Sequence, residues 1–280
     1  MRILVLGKDG MLGSTLESFL KRKDLDVSAT TRREGQRGLF LNVDPKATTV
    51  DSLVHLLNDF DVVVNCIVVR SLSLDSHLPE AIYANAIFPH IVARSCMIAG
   101  KAFINISTDG VFSGFGGPYV EGDLVDGQGL YSNSKILGEV AGPKSLNIRC
   151  SIVGHENPAN GGLLSWVLSQ ETAITGFTNV VWNGVTTVQL ANFIFHLITS
   201  DRLQALISQT HVIHFSPNKP MTKYELLQKI CDVYGKNIDI IEAKSKVAIS
   251  RVLNSKFSEY FEKSDDFSKE LRELRDFHYT

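Results

Sequence analysis

Disulfide chemistry has little to work with in this chain: its 280 residues include four cysteines, Cys66, Cys96, Cys150 and Cys231, and no two lie close in sequence. Three sit in apolar surroundings, where a free thiol behaves as a small hydrophobe. They read as reduced, buried residues of a cytoplasmic protein. Strand-like sequence begins at Arg2, which leaves no room for a signal peptide. No uninterrupted apolar stretch approaches the ~18 residues a membrane helix needs. An excess of one charge is missing too, since 28 Lys and Arg against 30 Asp and Glu leave a net charge of -2. That removes the electrostatic case for nucleic acid or an acidic membrane surface as partner. The eight histidines do not cluster. His211 and His214, three apart on an expected strand, point to opposite faces, so no metal site is expected. No Gly-x-Ser-x-Gly turn supports a serine hydrolase, and no repeat or low-complexity segment is visible. A small-molecule partner is what remains.

What is present is ordinary globular composition, 44% apolar and 21% charged, in a chain long enough for one large domain or two small ones. The first half alternates between two periods. Residues 2–6, 27–31, 61–66, 102–107 and 147–151 read as short apolar strands. Residues 11–21, 50–58, 79–99 and 130–140 carry helical patterns between them. Apolar, β-branched runs separated by helices imply a parallel sheet covered on both faces. The fold class is therefore α/β, a doubly wound, Rossmann-type sheet with ligands at the carboxyl ends of its strands. After Ser151 the pattern loosens into a smaller, irregular α+β region. Residues 157–162 read as a loop, 163–170 and 187–199 as short helices, and 211–215 as a strand. Thr222 with Glu225 forms a capping box for a helix to Val233. Residues 237–242 suggest a strand and 266–275 a terminal helix. The expected division is a dinucleotide-binding domain over 1–151, with 185–200 packing back onto it, and a mainly substrate-binding region over 152–280.

The chemistry concentrates in three places. Tyr131 and Lys135 lie four apart in Tyr-Ser-Asn-Ser-Lys and share one helix face, where an ammonium can lower the phenol's pKa and make it a usable proton donor. Gly7, Gly10 and Gly13 connect the first strand to the first helix. That turn allows close approach to a pyrophosphate facing the helix amino terminus, or serves as a plain strand–helix turn. Its Gly-x-x-Gly-x-x-Gly spacing departs from the commoner Gly-x-Gly-x-x-Gly. Arg32 and Arg33 end the second strand where an acidic residue would favour NAD; arginine there can accept a 2′-phosphate, or both can be solvated. Asn65 and Cys66 end the third strand near the crossing cofactor. Asn85 sits mid-helix, an unfavoured place for asparagine, in an internal role or merely exposed. Ser107 and Thr108 close the fourth strand, where a hydroxyl can donate to a carbonyl oxygen gaining charge or satisfy turn amides with Asp109. Asp109 is expected to do the latter.

These residues together resemble the extended short-chain dehydrogenase/reductase superfamily, and within it the dTDP-4-dehydrorhamnose reductase group of nucleotide-sugar 4-ketoreductases. The similarity rests on the glycine turn, Val63-Val64-Asn65-Cys66, Asn85, the run from Ser107 to Gly114, and the run from Tyr131 to Glu139. Trp182 to Thr187 and Arg251 to Asn254 resemble looser family segments near the sugar nucleotide. The resemblance implies Tyr131 as proton donor, Lys135 as its activator and ribose binder, and Thr108 on the substrate oxygen. Hydride would pass to C4 of a 4-keto-6-deoxy sugar on a nucleoside diphosphate, in deoxysugar and surface-polysaccharide synthesis. NADPH is the implied cofactor, with NADH as alternative. Its implied contacts are Gly7, Asp9, Gly10, Met11, Leu12, Gly13, Arg32, Arg33, Asn42, Cys66, Ile67, Asn85, Ser107, Tyr131, Lys135 and Ser151, with Cys150 and Ile152 beside the nicotinamide. The implied substrate contacts are Thr108, Asp109, Val111, Phe112, Tyr131, Trp182, Asn183 and Arg251. A homodimer is admitted. Gly110 stands where these reductases carry a bulkier residue and related dehydratases a Glu, which argues against dehydration. Asn42 replaces a frequent Asp, and residues 68–78 lack the acidic residues common in the rhamnose enzymes; some of those enzymes bind magnesium at a dimer contact, which is not expected here. Two rival readings keep the same framework: a regulatory subunit that binds cofactor without catalysis, as in methionine adenosyltransferase, and a nucleotide-sugar epimerase.

Overall fold

The computed structural model describes residues 1–33, 38–41, 48–70, 78–156 and 161–279. Asn42 and most of the loop expected at 157–162 lie outside them. In chain order the first half runs β1 (Arg2–Leu6), α1 (Met11–Arg22), β2 (Asp26–Thr31), β3 (Leu39–Phe40), α2 (Val50–Leu57) and β4 (Val62–Asn65). It continues through α3 (Leu78–Ile82), a π-turn (Tyr83–Ile87), α4 (Phe88–Ala99), β5 (Ala102–Ile106), α5 (Leu130–Leu137) and β6 (Ser145–Arg149). The second half adds β7 (Ile152–Val153), α6 (Leu163–Ser169), β8 (Ile174–Phe177), β9 (Val180–Trp182), β10 (Val185–Thr186) and α7 (Thr187–Ile198). Then follow α8 (Arg202–Ile207), β11 (Val212–His214), β12 (Met221–Thr222), α9 (Lys223–Tyr234), β13 (Ile240–Ala243), β14 (Ile249–Ser250) and α10 (Phe267–Tyr279).

Seven parallel strands make one sheet in the order β11-β6-β5-β4-β1-β2-β3. Every residue of β4 and β6 is buried, which is why these segments read as continuous apolar runs rather than alternating ones. Alternate residues of β1 serve opposite faces. Ile3 and Val5 pack with Leu12 and Leu16 of α1 and Leu190 and Ile194 of α7, while Leu4 and Leu6 pack with Leu53, Phe88 and Phe103. The chain grows from β1 to β2 on one side and then to β4 on the other. That reversal opens a crevice at the carboxyl ends of β1 and β4, the usual ligand position of such sheets.

Residues from the second half complete the first. Helix α7 packs on α1, where Thr15 Oγ1 donates to Thr187 Oγ1 at 3.2 Å, and β11 pairs with β6 at the sheet edge. The continuous helical run Leu78–Ala99 contains an 18-residue window with a mean hydropathy of 1.2, but 61% of that window is buried inside the protein, as in a core helix. The helix expected at 79–99 contains the π-turn, and the one expected at 130–140 ends at Leu137. Strands β8 and β9 and helix α8 go beyond the sequence pattern. They are short, and β8 and β9 take their pairing from distant partners, β13 and the pair β12 and β14.

Candidate functional site

The glycine turn has the shape that a phosphate cradle needs. Gly7 has φ +88°, and an added Cβ would lie 2.7 Å from Ile67 Cγ1. A Cβ on Gly13 would overlap the Gly7 carbonyl oxygen, so the start of α1 closes only over glycine. Gly10 caps α1 with no side-chain hydrogen bond, and the first turn holds no acidic residue. The first amides of the helix are therefore left for an anion. Met11 is half-buried, whereas Leu12 is packed in the core. Thr31 Oγ1 donates to Asp9 Oδ2 at 2.6 Å and the Gly7 amide donates to Thr30 Oγ1 at 3.0 Å, tying the turn to β2. Arg32 and Arg33 emerge exposed at the end of that strand. These residues fit a dinucleotide.

Helix α5 brings Tyr131 and Lys135 to the carboxyl ends of β5 and β6. Lys135 is buried at 3% exposure, and its Nζ donates to the Ile106 carbonyl at 2.8 Å. Burial pushes its pKa down to about 8, against the attraction of Glu139. Tyr131 is half-buried, with its ring and the Thr108 side chain both flanking Gly110. The expected direction of its pKa is corrected: burial raises it. The neighbouring Thr108 hydroxyl is the largest influence lowering it, and the charge of Arg70 also lowers it, rather than that of Lys135. Arg70 is itself ion-paired with Glu156 at 2.5 Å. Cys66, half-buried at the end of β4, is pushed up to about 12 by burial, and Cys150 is raised as well. Both thiols stay neutral beside the lysine.

A buried amide ladder holds that helix in place. Asn65, Asn105 and Asn147 lie in register on β4, β5 and β6. Asn65 Nδ2 donates to Asn105 Oδ1, and Asn105 Nδ2 donates to Asn147 Oδ1, both at 3.0 Å. From the ladder, Asn105 Nδ2 also reaches the Gly138 carbonyl at 3.0 Å and Asn147 Nδ2 the Val140 carbonyl at 2.7 Å. Asn85, fully buried in the π-turn, accepts from the Val69 amide and donates to the Val69 carbonyl, both at 2.8 Å, and to Ser134 Oγ at 3.2 Å. Its amide thus clamps the segment after β4 to α5. A Cβ on Gly138 would overlap the Asn85 carbonyl oxygen, so the close approach requires glycine.

Other expected site residues separate. Ser107 is buried and its Oγ donates to Glu139 Oε1 at 2.6 Å. Glu139 in turn holds Arg149 through two bonds of 2.8 and 2.7 Å. Ser107 is therefore committed to a structural ion pair, whereas the Thr108 hydroxyl donates to Asp109 Oδ1 at 3.2 Å. Val111 and Phe112 are fully buried, and Phe112 stacks on Tyr119 at 4.1 Å beneath the Arg149 guanidinium. Asn183 is also buried, with both amide atoms bonded to Leu253 backbone at 2.8 and 3.0 Å. These three side chains build the wall rather than its surface. Thr108 Oγ1 accepts from the Gly110 amide at 3.0 Å, as a turn cap should. Asp109 departs from its expected turn role. It accepts from Thr108 Oγ1 at 3.2 Å and faces Arg251 and Lys223, while burial raises its pKa. Trp182 Nε1 donates to Ser151 Oγ at 2.7 Å, and Lys223 Nζ lies 4.8 Å from the Trp182 ring. A side chain at Gly110 would press within 3.2 Å of Thr108 Oγ1 and 3.6 Å of the Tyr131 ring.

Thr108, Asp109, Tyr131, Ser151, Trp182 and Arg251 thus converge, and sequence reasoning missed Asn105, Asn147 and Lys223. The asparagines had a signal, a polar residue inside an apolar strand run. Lys223 had another, a cation in the first turn of a helix.

Comparison with known proteins agrees with this construction. A dTDP-4-dehydrorhamnose reductase of Mycobacterium tuberculosis is 34% identical over 146 residues, which are 50% of this chain and 45% of that protein. The chain spans about half the length of the curated reductases it matches. Methionine adenosyltransferase 2 subunit beta of Danio rerio is 28% identical over 251 residues, 84% of this chain and 74% of that protein. The fold is shared with a dTDP-4-dehydrorhamnose reductase of Bacillus anthracis solved in complex with NADP, at TM-score 0.79, 18% identity and coverage of 100% of this chain and 98% of that one. Residues 1–269 match the family described as the RmlD substrate binding domain, and the chain belongs to that family.

Proposed function

We propose that the protein is an NADPH-dependent reductase of the C4 keto group of a nucleotide-linked 4-keto-6-deoxy sugar, serving deoxysugar and surface-polysaccharide synthesis. One observation carries the reading: the Tyr131 ring and the Thr108 hydroxyl both stand beside Gly110 at the carboxyl ends of the sheet, in the crevice that begins at the glycine turn. Residues 1–151 hold the dinucleotide and 152–280 supply most of the substrate's surroundings. The open amides of α1 receive the pyrophosphate, and Arg32 and Arg33 receive the 2′-phosphate. When bound, the reduced dinucleotide supplies a hydride. Lys135 spends one of its three N–H donors on Ile106, which leaves two for ribose hydroxyls. Thr108 holds the substrate oxygen, and Tyr131 delivers a proton to it as negative charge develops there. A phenol held above its ordinary pKa by burial stays protonated at neutral pH, the form that a donor must have. Asn85 acts through Val69 and α5. Free cysteines throughout support a cytoplasmic setting.

A second reading is favoured by the long match to methionine adenosyltransferase 2 subunit beta, which suggests a regulatory subunit of the same fold. The intact set of Thr108, Tyr131 and Lys135 favours the enzyme, since a binder has no need of a phenol so placed. The decisive measurement is NADPH oxidation with several 4-keto-6-deoxy nucleotide sugars, with the C4 configuration of the product determined. Tyr131→Phe keeps the ring, so NADPH affinity stays within about twofold while turnover falls by about 10²–10⁴. A phenylalanine variant that turns over at near wild-type rate removes Tyr131 from the chemistry.

A further inference from the structure

One ion pair lies outside the catalytic set and joins the two halves of the chain. Arg70 follows β4 and Glu156 follows β7, and Arg70 Nη2 lies 2.5 Å from Glu156 Oε1. The Glu156 side chain is 2% exposed and that of Arg70 44%. Neither carboxylate oxygen has an aligned hydrogen-bond partner among the described residues, so the contact is held by charge. Taking a carboxylate out of water against a single counter-ion costs about as much as it returns. The stability of the fold therefore does not account for the pair.

Its place in the crevice does. The carboxyl ends of β4 and β6 stand on either side of β5, about 10 Å apart at two strand spacings. On the β4 side Ile67 packs over Gly7, where an added Cβ would lie 2.7 Å from Ile67 Cγ1. On the β6 and β7 side Gly154 lies against Met11, with 3.2 Å between an added Cβ and Met11 Cγ. Both segments thus rise from the glycine turn, and Arg70 meets Glu156 at their far ends. The turn, the two segments and the ion pair close a ring that stands on the open amino terminus of α1. Both sides of the ring are fixed. Val69 is clamped by Asn85 through its amide and its carbonyl, each at 2.8 Å. His155 Nε2 meets the Tyr234 hydroxyl at 2.9 Å, and its ring stacks on His278 at 3.8 Å. A Cβ on Gly162 would come within 2.5 Å of the Glu156 carboxylate, so that glycine makes the room in which the carboxylate is buried. The movable member is the half-exposed Arg70 side chain, which is free to turn out into water.

We propose that the Arg70–Glu156 pair is a clasp over the dinucleotide, parting for its entry and release and closing across it once it is seated. The inference rests on the dinucleotide reading of the glycine turn and is independent of the sugar substrate. A dinucleotide lying on the amides of α1 threads the ring, and it leaves only when the pair parts. The clasp adds no contact to its ligand. It therefore slows exchange in both directions and changes affinity little.

Stopped-flow fluorescence of NADPH binding, and of its displacement by excess NADP⁺, tests this on the intact protein with Arg70→Met, Glu156→Gln and the double variant. Each single variant is expected to raise both association and dissociation rates by about tenfold, while Kd moves by no more than about threefold. The double variant is expected to exchange no faster than the singles, because the same contact is lost in all three. Glutamine keeps the shape of Glu156 and leaves Arg70 to solvent, so this variant reads the clasp even where Arg70→Met, which strands a buried carboxylate, fails to fold. Exchange rates equal to wild type in Glu156→Gln overturn the clasp and leave the dinucleotide site standing. Weaker NADPH binding in Arg70→Met without faster release overturns it as well, by making Arg70 a direct ligand of the cofactor. A wild-type protein that binds neither NADPH nor NADH sinks the dinucleotide reading, and the clasp with it.

Discussion

Replacing Lys135 with methionine should stabilise the protein while disabling it. The two side chains have similar length, so packing changes little. The ammonium sits in the interior at 3% exposure, and burial moves its pKa from 10.5 to about 8. At about 1.4 kcal/mol per pH unit, that shift is a penalty of roughly 3 kcal/mol on the folded state. Methionine removes it. Against this stands the bond from Nζ to the Ile106 carbonyl, whose loss leaves a buried acceptor unmet at a cost of about 1–2 kcal/mol. Glu139 keeps both of its bonds to Arg149. The net expectation is a gain on the order of 1–2 kcal/mol at pH 7.

The pH dependence gives the calculation a second check. Below about pH 8 the folded and unfolded chains both hold the proton, and the full penalty is present. Between about 8 and 10.5 the unfolded chain binds a proton that the folded chain has released, so wild-type stability rises with pH through this group. Above that window both are neutral and the penalty is gone. Urea denaturation of both proteins at pH 7 and near pH 10 should therefore show the methionine variant ahead at the lower pH and level or behind at the higher. A variant less stable than wild type at pH 7, or a difference that ignores pH, refutes the assignment of an energetically costly buried ammonium. Turnover of the variant should fall by about a hundredfold or more, since ribose binding and the orientation of the phenol are both lost.

Two further perturbations bear on the cofactor. Arg32→Ala combined with Arg33→Ala should weaken NADPH by about tenfold or more and leave NADH nearly unaffected; equal losses in a fluorescence titration contradict the 2′-phosphate assignment. Gly13→Ala places a methyl on the Gly7 carbonyl oxygen, so it should abolish detectable NADPH binding and destabilise the fold by about 1–3 kcal/mol. Normal NADPH affinity in that variant means the start of α1 can shift.

The parts of the site that were legible beforehand are those written in local spacing. Glycines between a strand and a helix, a tyrosine and a lysine four apart, and a Thr222/Glu225 capping box each involve residues within one turn or one element. The misread parts involve burial. Ser107 and Thr108 are adjacent and chemically alike, yet one hydroxyl turns to Glu139 and the other to Asp109 and the Gly110 amide. Val111 and Phe112 follow the same motif and disappear into the wall. Asn85 looked anomalous in a helix, and the reason lies in a π-turn that brings its amide to Val69 and Ser134. Strand β9 was invisible because three residues carry too little periodicity to announce a strand whose partners lie 40 and 70 residues away.

Periodicity alone determined the parallel sheet, the order of its helices and the position of the cleft, because the alternation of buried faces repeats along the chain and needs no distant partner. The direction of the Tyr131 pKa, the asparagine ladder beneath α5 and the meeting of Lys223 with Arg251 and Asp109 were decided only by tertiary structure. Each depends on which charges and dipoles the fold brings together and how much water it removes from between them, and the electrostatics of a group in the interior is set by those neighbours and not by its own place in the chain.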